Sequence, residues 1–182
     1  MSLSEQNLRE KNFHNNLQSK KKGRFENIFY KALYNLNEDF FKYIEKSSKG
    51  KHLLDYGCGV GNNLNNVSNF QAERITCIDI SEVSIEKAKK KASEFMHKIE
   101  FHVDNCENSK LNDGAFDLIY GSGILHHLNM KKCLNEIHRL LKNNGKMIFI
   151  EPLGTNPIIN IYRKLTPNSR SEDEHPLLQK DF

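Results

Sequence analysis

The chain has 182 residues, enough for one domain with an appendage and a real core. Hydrophobic residues make up 37% and charged residues 27%, and no apolar run approaches the roughly 20 residues of a membrane span. The net charge of +4 is mild, and the basic clusters Lys20-Lys21-Lys22 and Lys87 to Lys91 lack the interleaved aromatics of a strand-stacking groove, which argues against nucleic acid as partner.

The N-terminus lacks the apolar core of a signal peptide. Cys58, Cys77, Cys106 and Cys133 show no metal-ligand spacing, so reduced thiols, a cytoplasmic location and no bound metal are expected. Residues 1–23 are polar, with Leu3, Leu8, Phe13 and Leu17 as apolar exceptions, and read as a loose amphipathic helix or a mobile arm. From Arg24 onward Phe25, Ile28, Phe29, Ala32, Leu33, Leu36, Phe40, Tyr43 and Ile44 recur at helical spacing. Residues 1–49 are therefore expected as an arm with helices that caps the domain formed by 50–182.

The alternation then begins. A first strand is expected at 51–56 and a helix at 61–69. A second strand at 74–79 leads to Ser81 as N-cap of a helix over 82–96. A third strand at 99–104 and a polar connection precede a fourth at 115–120. A helix over 130–142 carries the stripe Met130, Cys133, Leu134, Ile137, Leu140 and Leu141, stopped by Asn143-Asn144-Gly145 with Gly145 near C′. A fifth strand at 146–151 and a short helix near 157–165 follow. Strands separated by helices imply an α/β, doubly wound parallel sheet with right-handed crossovers. Ligands of such sheets bind beyond the strand C-termini.

Unusual residues gather at those ends. Asp55, Asp79, Asp104, Gly121 and Glu151 each close or directly follow a strand. The first strand runs into Asp55-Tyr56-Gly57-Cys58-Gly59-Val60-Gly61, a tight turn whose glycines permit positive φ and close approach of a ligand to the backbone. The spacing G-x-G-x-G, with a carboxylate two residues before the first glycine, suits an ammonium or sulfonium better than the pyrophosphate served by G-x-G-x-x-G. A nicotinamide-dependent oxidoreductase is disfavoured on that ground. Asp79 can accept from both hydroxyls of a ribose, and Asp104 from an exocyclic amine beside a backbone N–H.

By this turn the chain resembles the class I S-adenosylmethionine-dependent methyltransferases, whose first motif reads D-x-G-x-G-x-G. The segment Phe116-Asp117-Leu118-Ile119-Tyr120-Gly121-Ser122-Gly123-Ile124-Leu125-His126-His127-Leu128 resembles the family's fourth motif, with its frequent Leu-His-His. The resemblance covers residues 50–151. It implies a Rossmann-like sheet of order 3-2-1-4-5 and S-adenosylmethionine, or S-adenosylhomocysteine as product, as cofactor. Asp55, Gly57, Cys58, Gly59, Gly61 and Asn63 would serve its methionine part. Asp79 would hold the ribose, Ile80 would pack on adenine, and Asp104, Asn105 and Cys106 would read the adenine edge, with Gly121 at the cleft. The acceptor implied is a small molecule presenting a hydroxyl or similar nucleophile. His126 or His127 is the candidate general base, and His14, in Phe13-His14-Asn15, resembles an arm motif of some small-molecule relatives.

The family follows its fifth strand with a helix and an antiparallel hairpin. Residues for that hairpin are lacking before Phe182, so an uncovered edge at Met147-Ile148-Phe149-Ile150 is expected. The tail or a second copy of the chain would cover it. A cofactor-binding module without turnover, acting as a partner subunit or fragment, is the competing reading.

Overall fold

The structure is a computed structural model that describes residues 3–19, 34–92 and 98–165, together with 171, 173, 175, 177, 178 and 180. The helical pattern expected at Phe25 to Leu33, the end of the helix at Phe95 and Met96, and the Lys20 cluster lie outside the described residues. In chain order the elements are α1 (Glu5–Ser19), α2 (Tyr34–Ser48), β1 (His52–Tyr56), α3 (Leu64–Val67), β2 (Arg74–Asp79), α4 (Glu82–Lys91), β3 (Ile99–Val103), β4 (Phe116–Ser122), a 3₁₀ turn (Leu125–His127), α5 (Met130–Leu140), β5 (Leu141–Ile150) and α6 (Pro157–Leu165).

The five strands form one parallel sheet in the order β3-β2-β1-β4-β5. Strands buried on both faces need apolar residues at consecutive positions, and they have them. Leu53 packs with Phe40, Phe41, Ile44, Leu64 and Ile75 on one face, while Leu54 packs with Ile78, Ile119, Cys133, Ile137 and Leu140 on the other. Helices α2 and α3 thus cover the first face, and α5 covers the second. Ile137 and Leu140 of α5 are fully buried, each stabilising the sheet by about 2 kcal/mol.

Several local expectations shift. The helix expected at 61–69 shrinks to the single turn of α3, because residues 57–63 are spent in turns. Ser81 caps α4 as its type suggests, its hydroxyl accepting from Ser84 N at 3.1 Å. Helix α5 ends at Leu140, earlier than 142, and Gly145 is not its C′ residue. Instead β5 starts directly at Leu141 and residues 142–145 bulge out opposite Asp117. Asn144 takes the left-handed conformation there, with φ 65°. Lys142 Nζ donates to Asp117 at 2.7 Å, and His52 N donates to the same carboxylate at 2.9 Å, which ties the bulge to β1.

Strand β5 pairs with β4 alone among the described residues. Among the described residues, the C-terminal segment makes no backbone bonds along it. Its bonds go to the strand's far end: His175 N donates to His126 O, Gly154 N to Leu177 O, and Leu153 bridges Leu177. Met147 is half exposed. Amides of 146–151 should therefore exchange with deuterium faster than those of β1 in dilute protein, and slow with rising concentration if a second copy pairs there. Equal protection of β1 and β5 at high dilution would show that the edge is covered.

Candidate functional site

The crossovers bring Asp55, Asp79 and Asp104 to one rim. Asp55 lies opposite Cys77 on β2 and Tyr120 on β4, and Asp79 opposite Val103 on β3. Asp104 follows directly, its N–H donating to Asp79 O at 3.0 Å.

Asp79 is the tie between two loops. Gly59 N donates to Oδ2 and Ser81 N to Oδ1, both at 2.9 Å. Each oxygen keeps a lone pair for a ligand hydroxyl. Burial raises the Asp79 pKa, opposed by the Ser81 N–H, by His14, by the Gly59 N–H and by His127. Ile80, next in the chain, is half-buried.

The three turn glycines differ in what they face. A Cβ at Gly57 would strike Ile124, and one at Gly61 would meet Leu64 and the Ala88 backbone. A Cβ at Gly59 would meet nothing within 4 Å, so this residue alone points into open space, with φ +54°. Gly121, expected at the cleft, is explained by packing: a Cβ there would lie 2.6 Å from the Phe149 ring. Cys58 N and Gly57 N both donate to Ile78 O at 2.9 Å, fixing the turn to β2. Asn63 precedes α3 without a side-chain capping bond.

The Asp104 carboxylate holds its own loop, accepting from Asn105 N at 2.8 Å and Lys110 N at 2.9 Å. Asn105 in turn accepts from Glu107 N at 2.9 Å. Cys106 is buried, and its carbonyl accepts from the Tyr56 hydroxyl. Asp104, Asn105 and Cys106 are thus assembled on the rim by short-range bonds that their sequence spacing already favours.

Above the rim lies α1. The arm expected to be loose is a helix whose buried side is polar. Asn7 donates to Glu107 Oε2 at 3.2 Å, and Asn15 both accepts from Ser81 Oγ at 2.5 Å and donates to Glu82 at 3.2 Å. Arg9 forms a two-pronged ion pair with Asp173, each contact 2.8 Å, so the C-terminal segment braces the helix. Glu10 is 5% exposed and sits between two imidazoles, with Oε2 at 3.4 Å from His14 Nε2 and 3.3 Å from His127 Nδ1. Its other oxygen accepts from the Ser171 hydroxyl. Burial raises the Glu10 pKa, but His127, His14 and Ser171 together outweigh it and hold the carboxyl well below the usual range. Burial pushes the His127 pKa down, opposed by Glu10.

The two histidines of the Leu-His-His segment therefore part company. His126 is held from below: Glu151 accepts from the Ile124 and Leu125 N–H groups through Oε1 and meets His126 Nδ1 at 2.6 Å through Oε2. His127 faces the arm, its ring 5.3 Å from that of His14. Of the three catalytic candidates, His14 and His127 are brought together and His126 is committed to Glu151. Sequence reasoning missed Glu10 and Glu107. The i, i+4 spacing of Glu10 and His14 was the available signal.

The methyltransferase-domain family model matches residues 54–149, just over half of the chain. The chain belongs to the class I S-adenosylmethionine-dependent methyltransferases. It is 31% identical over 122 residues to the ubiquinone biosynthesis O-methyltransferase of Coxiella burnetii, covering 65% of this chain and 52% of that one. The [4+2]-cyclase SpnF is 27% identical, with a TM-score of 0.59 over 65% of this chain and 44% of that one. The geranyl diphosphate C-methyltransferase of Streptomyces coelicolor A3(2), solved with Mg2+, geranyl diphosphate and S-adenosyl-L-homocysteine, superposes with a TM-score of 0.73 over all of this chain and 77% of that one, at 13% identity, and so shows the shared fold. The chain spans about half the length of the curated relatives it matches.

In this chain the most exacting electrostatic position is Asp55. It is buried, and burial raises its pKa to about 7, with Asp79 adding to the rise. The buried Tyr120 hydroxyl, without a partner of normal hydrogen-bond geometry, lies beside Asp55 and opposes part of it. Unfolded, the carboxyl titrates near its ordinary value of about 4. Between about pH 4 and 7 the folded chain thus holds a proton that the unfolded chain has lost, and stability falls as pH rises through that window. Above it the buried carboxylate is charged and the penalty is complete. Asp55→Asn should raise the midpoint of thermal unfolding, followed by circular dichroism without ligand, by about 3 °C or more at pH 8. The gain should vanish near pH 4. A variant no more stable than its parent at pH 8 would show that burial does not dominate this site.

Proposed function

We propose that this chain binds S-adenosylmethionine across the ends of β1, β2 and β3 and transfers its methyl group to a small-molecule nucleophile. The observation that carries this reading is the match over residues 54–149 to the methyltransferase domain, joined to the Gly59 turn held by Asp79. A sulfonium donor is already activated, so the protein's work is to align the acceptor and exclude water. Helix α1 is well suited to the second task as a lid over the rim. Asp55 near the ligand's ammonium, Asp79 at the ribose and Ile80 against the adenine form the proposed cofactor track, with Asp104, Asn105 and Cys106 at the base's edge. The Glu10, His14 and His127 cluster, close enough to Asp79 to lower its pKa, is the proposed place of acceptor activation. His126 is assigned a positioning role through Glu151. One relative is a ubiquinone biosynthesis O-methyltransferase and another a sterol 4-C-methyltransferase, which favours a hydroxyl-bearing or carbon nucleophile in a small molecule.

No helix among the described residues is long and apolar enough to cross a membrane. The four cysteines are free, which supports a reducing compartment such as the cytoplasm. The likeness to SpnF, a [4+2]-cyclase, favours a second reading, in which this chain is a cofactor-binding module without methyl transfer. A panel of phenolic and terpenoid acceptors, monitored for S-adenosylhomocysteine formation, separates the two: tight binding with no product on any acceptor would favour the second.

Calorimetry with S-adenosylhomocysteine tests the track. Asp79→Ala removes charge-assisted acceptors and releases the Gly59 turn, so affinity should fall at least tenfold. Gly59→Val should abolish binding in a folded domain, because the added side chain enters the cleft from a backbone at positive φ. Unchanged affinity in both variants would remove the cofactor from this rim.

A further inference from the structure

We propose that Glu10, His14 and His127 form a three-ligand site for a divalent transition-metal cation, with Zn2+ the best match to two imidazoles and one carboxylate. A ligand atom from each of the three lies within 4.8 Å of the others. The distances from Glu10 Oε2, 3.4 Å to His14 Nε2 and 3.3 Å to His127 Nδ1, are long for charge-assisted hydrogen bonds. His126 and Glu151 in the same loop region close to 2.6 Å, so this chain makes a short His–carboxylate bond where one is intended. Tetrahedral coordination with metal–nitrogen and metal–oxygen bonds of about 2.0–2.2 Å separates neighbouring ligand atoms by about 3.3–3.5 Å. The two separations from Glu10 Oε2 match that spacing, and the third, between the imidazoles, lies within 4.8 Å.

Two further observations point the same way. Glu10 Oε2 and His127 Nδ1 are buried and have no hydrogen-bond partner, an expensive state for two lone-pair-bearing atoms unless something takes them both. Glu10 is 5% exposed and His127 6%, so water does not supply it freely. The second oxygen of Glu10 is engaged by the Ser171 hydroxyl, which fixes the carboxylate plane as outer partners of metal ligands do. Glu10 and His14 stand one helical turn apart on α1 and His127 comes from the turn after β4, so a cation would also pin the lid to the rim. Imidazole donors favour zinc over magnesium. Three protein ligands leave a position for an oxygen ligand, the pattern of catalytic rather than structural zinc. Binding of the ion does not depend on the methyltransferase reading. A role for that position in holding an acceptor oxygen does rest on it.

The test is metal content of the full chain after equilibrium dialysis against Zn2+, with competition by a chromophoric chelator for affinity and Co2+ absorption for geometry. One equivalent of Zn2+ should bind, Mg2+ in excess should not displace it, and Co2+ should give intense tetrahedral bands. Glu10→Gln, which keeps the shape of the side chain, and His14→Ala should each weaken Zn2+ at least tenfold while circular dichroism stays unchanged. Absence of stoichiometric Zn2+ in the unmodified chain overturns the inference whatever the variants do, and so does unaltered affinity in both folded variants. S-adenosylhomocysteine binding by metal-free protein is measured in parallel. Cofactor binding without Zn2+ binding sinks this inference alone, and Zn2+ binding without cofactor binding sinks the methyltransferase reading alone.

Discussion

One carboxylate, Asp79, holds the rim together. Its two oxygens take the N–H groups of Gly59 and Ser81, one on each side of the cleft's floor. A turn rich in glycine has many conformations to lose, and a buried charge-assisted bond is a direct way to select one. The same bond orients Ser81 to cap α4 and to donate to Asn15, so the lid helix registers against the glycine turn through a single residue's backbone. Asp79 lies at the end of a strand between two others, where the sheet's own pairing fixes it to within a register position.

The lid follows a different logic from the sheet. Most helices dock through an apolar stripe, yet α1 buries Asn7 and Glu10 and leaves Leu8 half exposed. The two buried polar side chains meet groups from other loops: Asn7 donates to Glu107 of the β3–β4 connection, and one oxygen of Glu10 accepts from Ser171 of the tail. Burying such groups unpaired would cost several kcal/mol, so the helix has one seating in which the costs are offset.

The Leu-His-His segment shows how neighbouring identical side chains acquire different work. A 3₁₀ turn rotates successive residues by about a third of a circle. His126 meets Glu151, where it braces the loop, and His127 meets Glu10, while the two rings stay 4.2 Å apart. Glu151 closes the arrangement by collecting two backbone N–H groups as well, which ties the end of β5 to the turn after β4.

The five parallel strands and the rim carboxylates were legible in the sequence, because consecutive apolar runs ending in Asp55, Asp79 and Asp104 recur at the length of one strand–helix unit; the strand order was implied only by the resemblance of the glycine turn and the Leu-His-His segment to a known family. The Ser81 cap was legible for the same local reason. Other features depended on contacts between residues far apart in the chain. Only the fold shows that the glycine turn leaves room for one helical turn in α3, that β5 starts at Leu141 through a bulge, and that Gly121 makes way for Phe149. The arm's helix could be read only as one alternative beside a mobile arm, because its buried face is polar and apolar periodicity reports poorly on a helix whose partners are carboxylates, amides and imidazoles on other loops. The pairing of Glu10 with His14 follows helical spacing, but the meeting of both with His127 joins residues more than a hundred positions apart, and chain spacing holds no record of it. Local chemistry writes strands, turns and caps into a sequence; which polar groups face one another across a cleft is decided by the packing that closes it.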